Sequence, residues 1–385
     1  MTASTGFNAV AGVMGGLLLV RYLPQKEYGL VAAAIAIILV TQELVGRGVN
    51  DTLVRFGTTA AADSDEQINA VFLSGLLLKL LVCLVLFALF WLCVPIISPI
   101  FNRSDFIRII PGIWLAITGY GLWSLLLTRL QARLDFRRFA LLQPSVNCVK
   151  VLIFFLFFYF GLLNWVNTIW ITGSCFILCA LLFGYSEFKT IVTMKWPYRE
   201  ILSTFLQIGR YSKWNILAAV AFVTYTRMDI FILIRQMNET DVAIYNAAWQ
   251  LLTIVDFCTI SIMTVMIPKA SHLVRRNDLL IWMGRSLALS LACALAFLLL
   301  PLAVKSFVPA FFGDSYAQSV GLFNTMYWGY IAALFILPLI GILHATKTFY
   351  INSIIQTLLL IASIPAYAYS ISHYGVGGAA MVTCI

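Results

Sequence analysis

The sequence predicts an all-α polytopic membrane protein, with about 12 transmembrane helices in two six-helix lobes around a central cleft and the last helix incomplete. Hydrophobic residues make up 62% of the 385-residue chain and charged residues 11%. Soluble domains carry roughly a quarter charged residues, so this chain has too little polar surface to cover a water-soluble body. Apolar runs follow one another almost end to end, most of them near or above the roughly 20 residues that cross a bilayer as helix. The alternating pattern of a membrane β-barrel is missing, and a lipid-exposed backbone must satisfy its own hydrogen bonds, which leaves helix.

The first run, 5–21, has no basic stretch before it, so it reads as a helix rather than a cleaved leader; it ends on Arg21. The second, 29–56, carries Glu43, Arg47, Asp51 and Arg55 every four residues, neighbours on a slowly drifting stripe of alternating sign. Two readings stand side by side: an ion ladder gluing this helix to its neighbours, or the polar wall of a water-filled cavity. Gly46 and Gly48 flank Arg47 and would permit close packing or local flexing. The third run, 68–95, holds Lys79, and the fifth, 141–162, holds Lys150. Both are isolated near mid-span, where snorkelling is less effective than at a helix end. The fourth, 108–131, and the fifth start close to Pro111 and Pro144, read as first-turn prolines. The sixth, 164–185, closes the first half.

A basic stretch, 187–204, follows, and TMKWPYREILSTF within it would lie flat on the inner leaflet. The seventh run, 205–236, carries Lys213, Arg227 and Asp229. Lys213 and Arg227 fall about 40° apart on one helix face and roughly 21 Å apart in height. Asp229 lies off that stripe; it either pairs with a neighbouring helix or binds a proton or Na⁺. The eighth, 242–267, has Asp256 at its centre, a candidate to balance one of the lysines. The ninth and tenth are 281–304 and 321–344, with Pro338 placed to bend the tenth. The eleventh is 349–372, and a twelfth opens near Gly375 and stops at Ile385. The lobes are accordingly 1–186 and 205–385, joined by the cytoplasmic basic connector 187–204.

The basic residues set the orientation. With the N-terminus cytoplasmic, fourteen fall on the inner side against six outside: Arg21, Lys26, Arg103, Arg108, Arg235 and Lys305. The net charge of +9 is thus a topology signal spread over short loops, and nucleic acid is not an expected partner. The eight Cys include no CxxC pair and read as buried apolar residues, and the three His do not cluster, so neither metal nor other cofactor is expected. No hydrophilic stretch is large enough for a soluble domain and no GxxxxGK[ST] occurs, which excludes an ATP-hydrolysing engine in this chain. A faint repeat is present: a shift of 214 aligns Arg21 with Arg235, Trp114 with Trp328, Leu125 with Leu339 and Gly161 with Gly375. Two parallel six-helix halves would suit alternating access.

Ionisable groups inside a membrane usually face a cavity or a partner. Lys79, Lys150, Lys213 and Arg227, with Arg47, outnumber Glu43, Asp229 and Asp256, and a hollow of that sign favours an anionic passenger.

Several stretches resemble a known family. RYLPQKEYGL, TRMDIFILIRQMNETDVAIYNAAWQL, VMIPKASHL and FFGDSYAQSV, in this order and spacing, are similar to bacterial O-antigen and exopolysaccharide repeat-unit flippases. These form the polysaccharide-biosynthesis branch of the multidrug/oligosaccharidyl-lipid/polysaccharide exporter superfamily. The resemblance implies a multi-pass protein of the cell inner membrane, not an enzyme. Its expected activity is to move an undecaprenyl-diphosphate-linked oligosaccharide from the inner to the outer leaflet by alternating access. It places Arg21 at the family's first-helix arginine, and Arg227 and Asp229 in its seventh-helix charged region. Arg21, Arg47, Lys79, Lys150, Lys213 and Arg227 are then the candidates for the diphosphate headgroup. Glu43, Asp51, Asp229 and Asp256 are candidates for H⁺ or Na⁺ coupling or for charge pairing. Membrane lipid, a polysaccharide polymerase and a chain-length regulator are the expected partners. The alternative is a small-molecule multidrug or cation antiporter of the same superfamily, which would need a cavity dominated by acids.

Overall fold

In hydrocarbon a backbone can bond only to protein, and this chain meets that demand with helices. The computed structural model describes residues 2–63, 65–97, 103–193, 198–271, 276–345 and 350–384. The side chains of Arg47 and Asp256 lie outside the described residues, as do residues 194–197 of the connector. In chain order the helices are α1 (Thr2–Tyr22), α2 (Gln25–Val45), α3 (Arg47–Asp63), α4 (Asp65–Ile97), α5 (Arg103–Ala132), α6 (Phe136–Leu142) and α7 (Ser145–Tyr159). They continue as α8 (Trp165–Thr193), α9 (Tyr198–Gln236), α10 (Glu239–Ser271), α11 (Arg276–Ala296), α12 (Leu300–Phe312), α13 (Gln318–Ala345) and α14 (Tyr350–Cys384). A single 3₁₀ turn, Asp314–Tyr316, separates α12 from α13. No strand occurs among the described residues, and seven of their helical segments are long and apolar enough to cross a membrane.

Several runs divide where the sequence reading drew one helix. The run 29–56 breaks at Gly46. A side chain there would start 2.6 Å from the Tyr120 ring, and the amides of Val49 and Asn50 both reach the Gly46 carbonyl, at 3.0 and 2.8 Å. The stripe Glu43–Arg47–Asp51–Arg55 is therefore not carried by one straight helix: Glu43 sits in the last turn of α2 and the others on α3. The run 141–162 divides at Pro144, and 281–304 divides just before Pro301, whose missing N–H suits a first turn. Pro111 corrects the opposite way. Helix α5 begins at Arg103, which puts this proline inside the helix. Most of the connector 187–204 is also helical, shared between the end of α8 and the start of α9.

At Gly375 the chain reverses. Its φ of 59° with ψ of −141° interrupts α14. Tyr367 Oη and Thr383 Oγ1 then meet at 3.0 Å, whereas a straight helix would hold them roughly 24 Å apart. The helix boundaries carry the repeat more clearly than the residues do. Tyr22 and Gln236 end α1 and α9, Gln25 and Glu239 open α2 and α10, and α5 shifted by 214 falls on α13 to within a residue at each end. Arg21 and Arg235 both lie in last turns, and Gly161 and Gly375 both adopt positive φ.

The chain forms two compact units. One comprises Ala3–Gly15 and Ala33–Arg227, the other Gly16–Ala32 and Met228–Ile385. The cut thus falls within α9, and residues 16–32 go with the second unit. In the first unit α5 packs along α8 at close range, because a side chain on Gly173 would run into the Gly112 carbonyl and the Ala116 amide. Val49, Leu53, Phe72, Leu125, Ile191 and Ile208 fill the space between α3, α4, α5, α8 and α9. In the second unit α10 packs on α13, with Ser319 Oγ donating to the Ile244 carbonyl at 2.9 Å, and Tyr327 Oη of α13 donates to the Phe297 carbonyl just after α11 at 2.6 Å. Residues 16–32 join it through Arg21, which donates to the carbonyls of Ala310 and Phe311 at the end of α12. Gln25 Nε2 donates to the Ser315 carbonyl at 3.1 Å, and Asn246 Nδ2 donates to Tyr28 Oη at 2.7 Å.

Two backbone positions give opposite expectations. Gly375→Ala forces a side chain into a conformation that only glycine adopts readily and should cost about 1–3 kcal/mol. Leu134, an exposed residue after α5, already holds a φ of 58°. Leu134→Gly should therefore raise stability by up to about 1 kcal/mol. Thermal unfolding of both variants in detergent, against the parent protein, checks the signs.

Candidate functional site

One face of α5 builds the site. Tyr120, Ser124, Leu127 and Gln131 recur at three- and four-residue steps, which aligns them on a helix. They line a cavity of about 740 Å³ in the first unit, within the size range of small-molecule sites. Helix α2 adds Glu43 to its wall, α3 adds Asn50 and Asp51, α1 adds Asn8, and α7 adds Asn147. Gln143 enters from the α6–α7 junction and Phe176 from α8. Five carboxamides thus face one space together with two carboxylates, the Ser124 and Thr128 hydroxyls, and the rings of Tyr120, Trp123, Phe139 and Phe176.

The wall is ordered by its own bonds. Asn147 Nδ2 donates to Asn8 Oδ1 at 3.0 Å and to the Asn8 carbonyl at 3.2 Å, tying α7 to α1. Ser4 Oγ donates to the Ala140 carbonyl at 2.5 Å and lies 3.3 Å from Gln143 Oε1. Tyr120 and Phe176 meet edge to face at 5.5 Å. Asn50 Oδ1 is buried and accepts no hydrogen bond among the described residues, so it keeps an acceptor in reserve in the wall.

Of the residues singled out in the sequence, the structure brings Glu43 and Asp51 to this cavity. It does not bring the cations there among the described lining residues. Lys79 is 2% exposed and is spent on α5, donating to Ser124 Oγ at 2.6 Å and to the Gly121 carbonyl at 3.2 Å. It therefore stands behind the wall rather than in it. Arg21 is exposed and engaged with the end of α12. Lys150 is half-buried on α7, its Cε close to Gly15 of α1, and its ammonium makes no hydrogen bond or ion pair among the described residues. Lys213 is exposed and Arg227 half-buried, both on the single helix α9. The side chains of Arg47 and Asp256 are not described.

Asp229 takes the partnered course. It is 3% exposed, and Oδ2 accepts from Tyr245 Oη of α10 at 2.5 Å while Oδ1 accepts from the Ile230 amide at 2.7 Å. Tyr245 Oη lies 2.7 Å from Thr383 Oγ1, which in turn lies 3.0 Å from Tyr367 Oη. Three hydroxyls so lead to one buried carboxylate within the second unit. Each hydroxyl donates only once: Tyr245 donates to Asp229, and the single Thr383 proton is shared between Tyr245 Oη and the Ala379 carbonyl, 2.9 Å away.

Sequence reasoning missed the carboxamides and these hydroxyls. Asn8, Asn147 and Thr383 interrupt apolar runs, and that interruption was the available signal. Arg129, counted as a helix end, does lie in the last turn of α5, but it is buried there. Arg129 is 1% exposed, with Nε 2.9 Å from Glu187 Oε2 and Nη2 donating to Asn69 Oδ1 at 2.6 Å.

The sequence profile described as polysaccharide biosynthesis protein matches residues 1–274. The chain belongs to the polysaccharide biosynthesis protein family. Among solved structures, an inward-facing multidrug resistance MATE family transporter of the MOP superfamily superimposes with a TM-score of 0.70 at 16% identity, covering 98% of this chain and 90% of that one. The lipid II flippase MurJ, in an inward closed conformation, gives 0.75 at 16% identity, over 99% of this chain and 83% of that one. A MOP superfamily transporter from Pyrococcus furiosus gives 0.55 at 15% identity, over 100% and 92%. At such identities the likeness establishes the fold alone: this polysaccharide biosynthesis family member shares the all-α architecture of those transporters. A comparison with curated proteins finds no significant match.

The Asp229 cluster makes a direct prediction. Tyr245→Phe removes a donor from a buried carboxylate and should destabilise the protein by about 1–3 kcal/mol, read as a lower melting temperature in detergent. An unchanged melting temperature would mean that Tyr245 does not support Asp229.

Proposed function

We propose that this protein carries a polyprenyl-diphosphate-linked oligosaccharide repeat unit from the inner to the outer leaflet of the cell inner membrane. The N-terminus is cytoplasmic, and the product feeds O-antigen or exopolysaccharide assembly. The observation that carries the reading is the first unit's cavity. A sugar presents hydroxyls that both donate and accept, and carboxamides answer both roles from one side chain. Five of them, with flanking hydroxyls and four aromatic rings, make a wall suited to a glycan. Membership of the polysaccharide biosynthesis family supports the same passenger.

A sugar chain and a diphosphate cannot enter hydrocarbon bare. The protein shields both while the prenyl tail stays in lipid, and no covalent bond is made or broken. Lys79 and Arg21 hold protein groups, and Lys150, Lys213 and Arg227, with Arg47, are the candidates for the diphosphate. Alternating access of two six-helix lobes, residues 1–186 and 205–385 about the connector, delivers the headgroup outside. Asp229, at the end of its hydroxyl run, is the first candidate to couple the cycle to an H⁺ or Na⁺ gradient; Glu43, Asp51 and Asp256 are the others. A polymerase and a chain-length regulator would take the product onward.

The two acids in the cavity wall also favour a second reading, export of small cationic molecules. The readings separate in cells. Replacing Lys213 and Arg227 together with Gln should abolish surface polysaccharide, with the lipid-linked unit accumulating and the protein still present in the membrane. Full export by that variant removes both residues from the headgroup role. Sensitivity to lipophilic cations that depends on Glu43 and Asp51, with surface glycan unchanged in their absence, establishes the second reading instead.

A further inference from the structure

We infer that a pocket bounded by α5, α6 and α8 holds one anionic glycerophospholipid of the surrounding membrane, its acyl chain among apolar side chains and its phosphate on arginines of α6. The pocket measures about 330 Å³ and lies in the first unit. Among the described residues it shares no lining side chain with the cavity above. Leu126 and Leu130 of α5 are buried in it, while Leu141 and Phe183, 69% and 44% exposed, bring it out to the surface. Arg138, Ser186 and Glu187 are its polar members. Arg138, Leu141 and Leu142 recur at three- and four-residue steps, so α6 sets a cation beside apolar side chains on one face. Asp135 holds that turn, its Oδ1 accepting from the Arg138 amide at 3.1 Å.

The charges around the pocket favour an anion. Glu187 is already matched: Arg129 Nε lies 2.9 Å and Arg133 Nη1 3.6 Å from Oε2, and Arg138 Nη1 lies 3.9 Å from Oε1. Arg138 Nε also lies 3.4 Å from Asp135 Oδ2. Arg129, Arg133, Arg137 and Arg138 thus stand against two carboxylates, and the excess is positive. The side chain of Arg138 is 68% exposed, and both of its ion pairs are longer than a good hydrogen bond. Arg137 is exposed and makes no hydrogen bond or ion pair among the described residues. A guanidinium offers five donors in a fork that fits phosphate oxygens. The occupant is a lipid rather than free phosphate because the pocket is mostly hydrocarbon, in a chain whose helices are long and apolar enough to cross a membrane. Phosphate without a tail would leave five apolar side chains uncovered. Basic residues beside such a gap draw anionic lipid in preference to zwitterionic lipid, each arginine adding to the preference.

The test photolabels the full chain in detergent with a phosphatidylglycerol that carries a diazirine on one acyl chain, at a low ratio of lipid to protein. Label should fall on peptides of α6 and on the 183–187 segment of α8. Unlabelled phosphatidylglycerol should suppress it at a concentration roughly tenfold lower than phosphatidylcholine needs. Arg137→Gln with Arg138→Gln should weaken the labelling about tenfold and remove that preference. Ser186→Trp fills the pocket from an exposed position without altering charge, and should weaken labelling by a similar factor. Label confined to other segments, or equal competition by the two lipids, overturns the inference. Suppression by glycerol phosphate as effective as that by phosphatidylglycerol also overturns it, since the site would then take a free anion. A folded Ser186→Trp variant that labels as the parent does overturns the pocket and leaves only surface charge. Where a variant does not fold, the parent's label positions and lipid competition decide.

Discussion

Every peptide group placed in hydrocarbon must find its hydrogen-bond partner within the protein, and the rest of this structure follows from that demand. It makes the chain helical nearly throughout and turns every interruption of a helix into an event that needs local compensation. At Gly46 the compensation is two amides sharing one carbonyl beneath the Tyr120 ring. Near Pro301 the helix simply restarts where a proline's missing N–H has no partner to lose. At Gly375 the reversal is stitched by Ser370 Oγ donating to the Gly378 carbonyl at 3.0 Å. The interruption at Gly46 also separates Glu43 from Asp51 onto two helices, yet returns both to one cavity.

The same demand sorts the polar side chains. Some complete the scaffold: Lys79 on α5, Arg129 between α4, α5 and α8, and Arg21 on the carbonyls ending α12. A buried charge such as Lys79 or Arg129 contributes little net stability but is costly to leave unmatched. Others face open volume, and these are mostly uncharged amides. The cavity therefore gains its polarity without the desolvation cost of many ions, and the fixed cations keep the surrounding helices in register.

Much of the fold was legible because hydrophobicity over a twenty-residue window reports burial in lipid directly. The positions of α5, α8, α10 and α13 are close to those read from the apolar runs, and the repeat offset seen in Gly161 and Gly375 recurs in the helix ends. The breaks were not legible. Gly46 looks like any other membrane glycine until Tyr120, 74 residues on, is placed against it. The site was half legible. Charges stand out in an apolar sequence, so Lys79 and Arg129 drew notice or were counted, but whether a charge lines a cavity or locks a helix depends on neighbours contributed by distant segments. Asn8, Asn147 and Gln143 carry no charge to betray them, and their common surface exists only once α1, α6 and α7 come together.

Residues 16–32 belong with a unit whose remaining members begin at Met228. Arg21 and Gln25 find their carbonyl partners 289 to 290 positions later in the chain. During synthesis the segment emerges 289 to 290 residues before the groups that receive it. The nascent chain must therefore hold an incompletely housed arginine while the intervening residues are made. Closing so long a loop costs only modestly more than closing a short one, so the burden is one of time rather than equilibrium. Termination between α10 and α12 would leave that segment permanently without the carbonyls that seat Arg21.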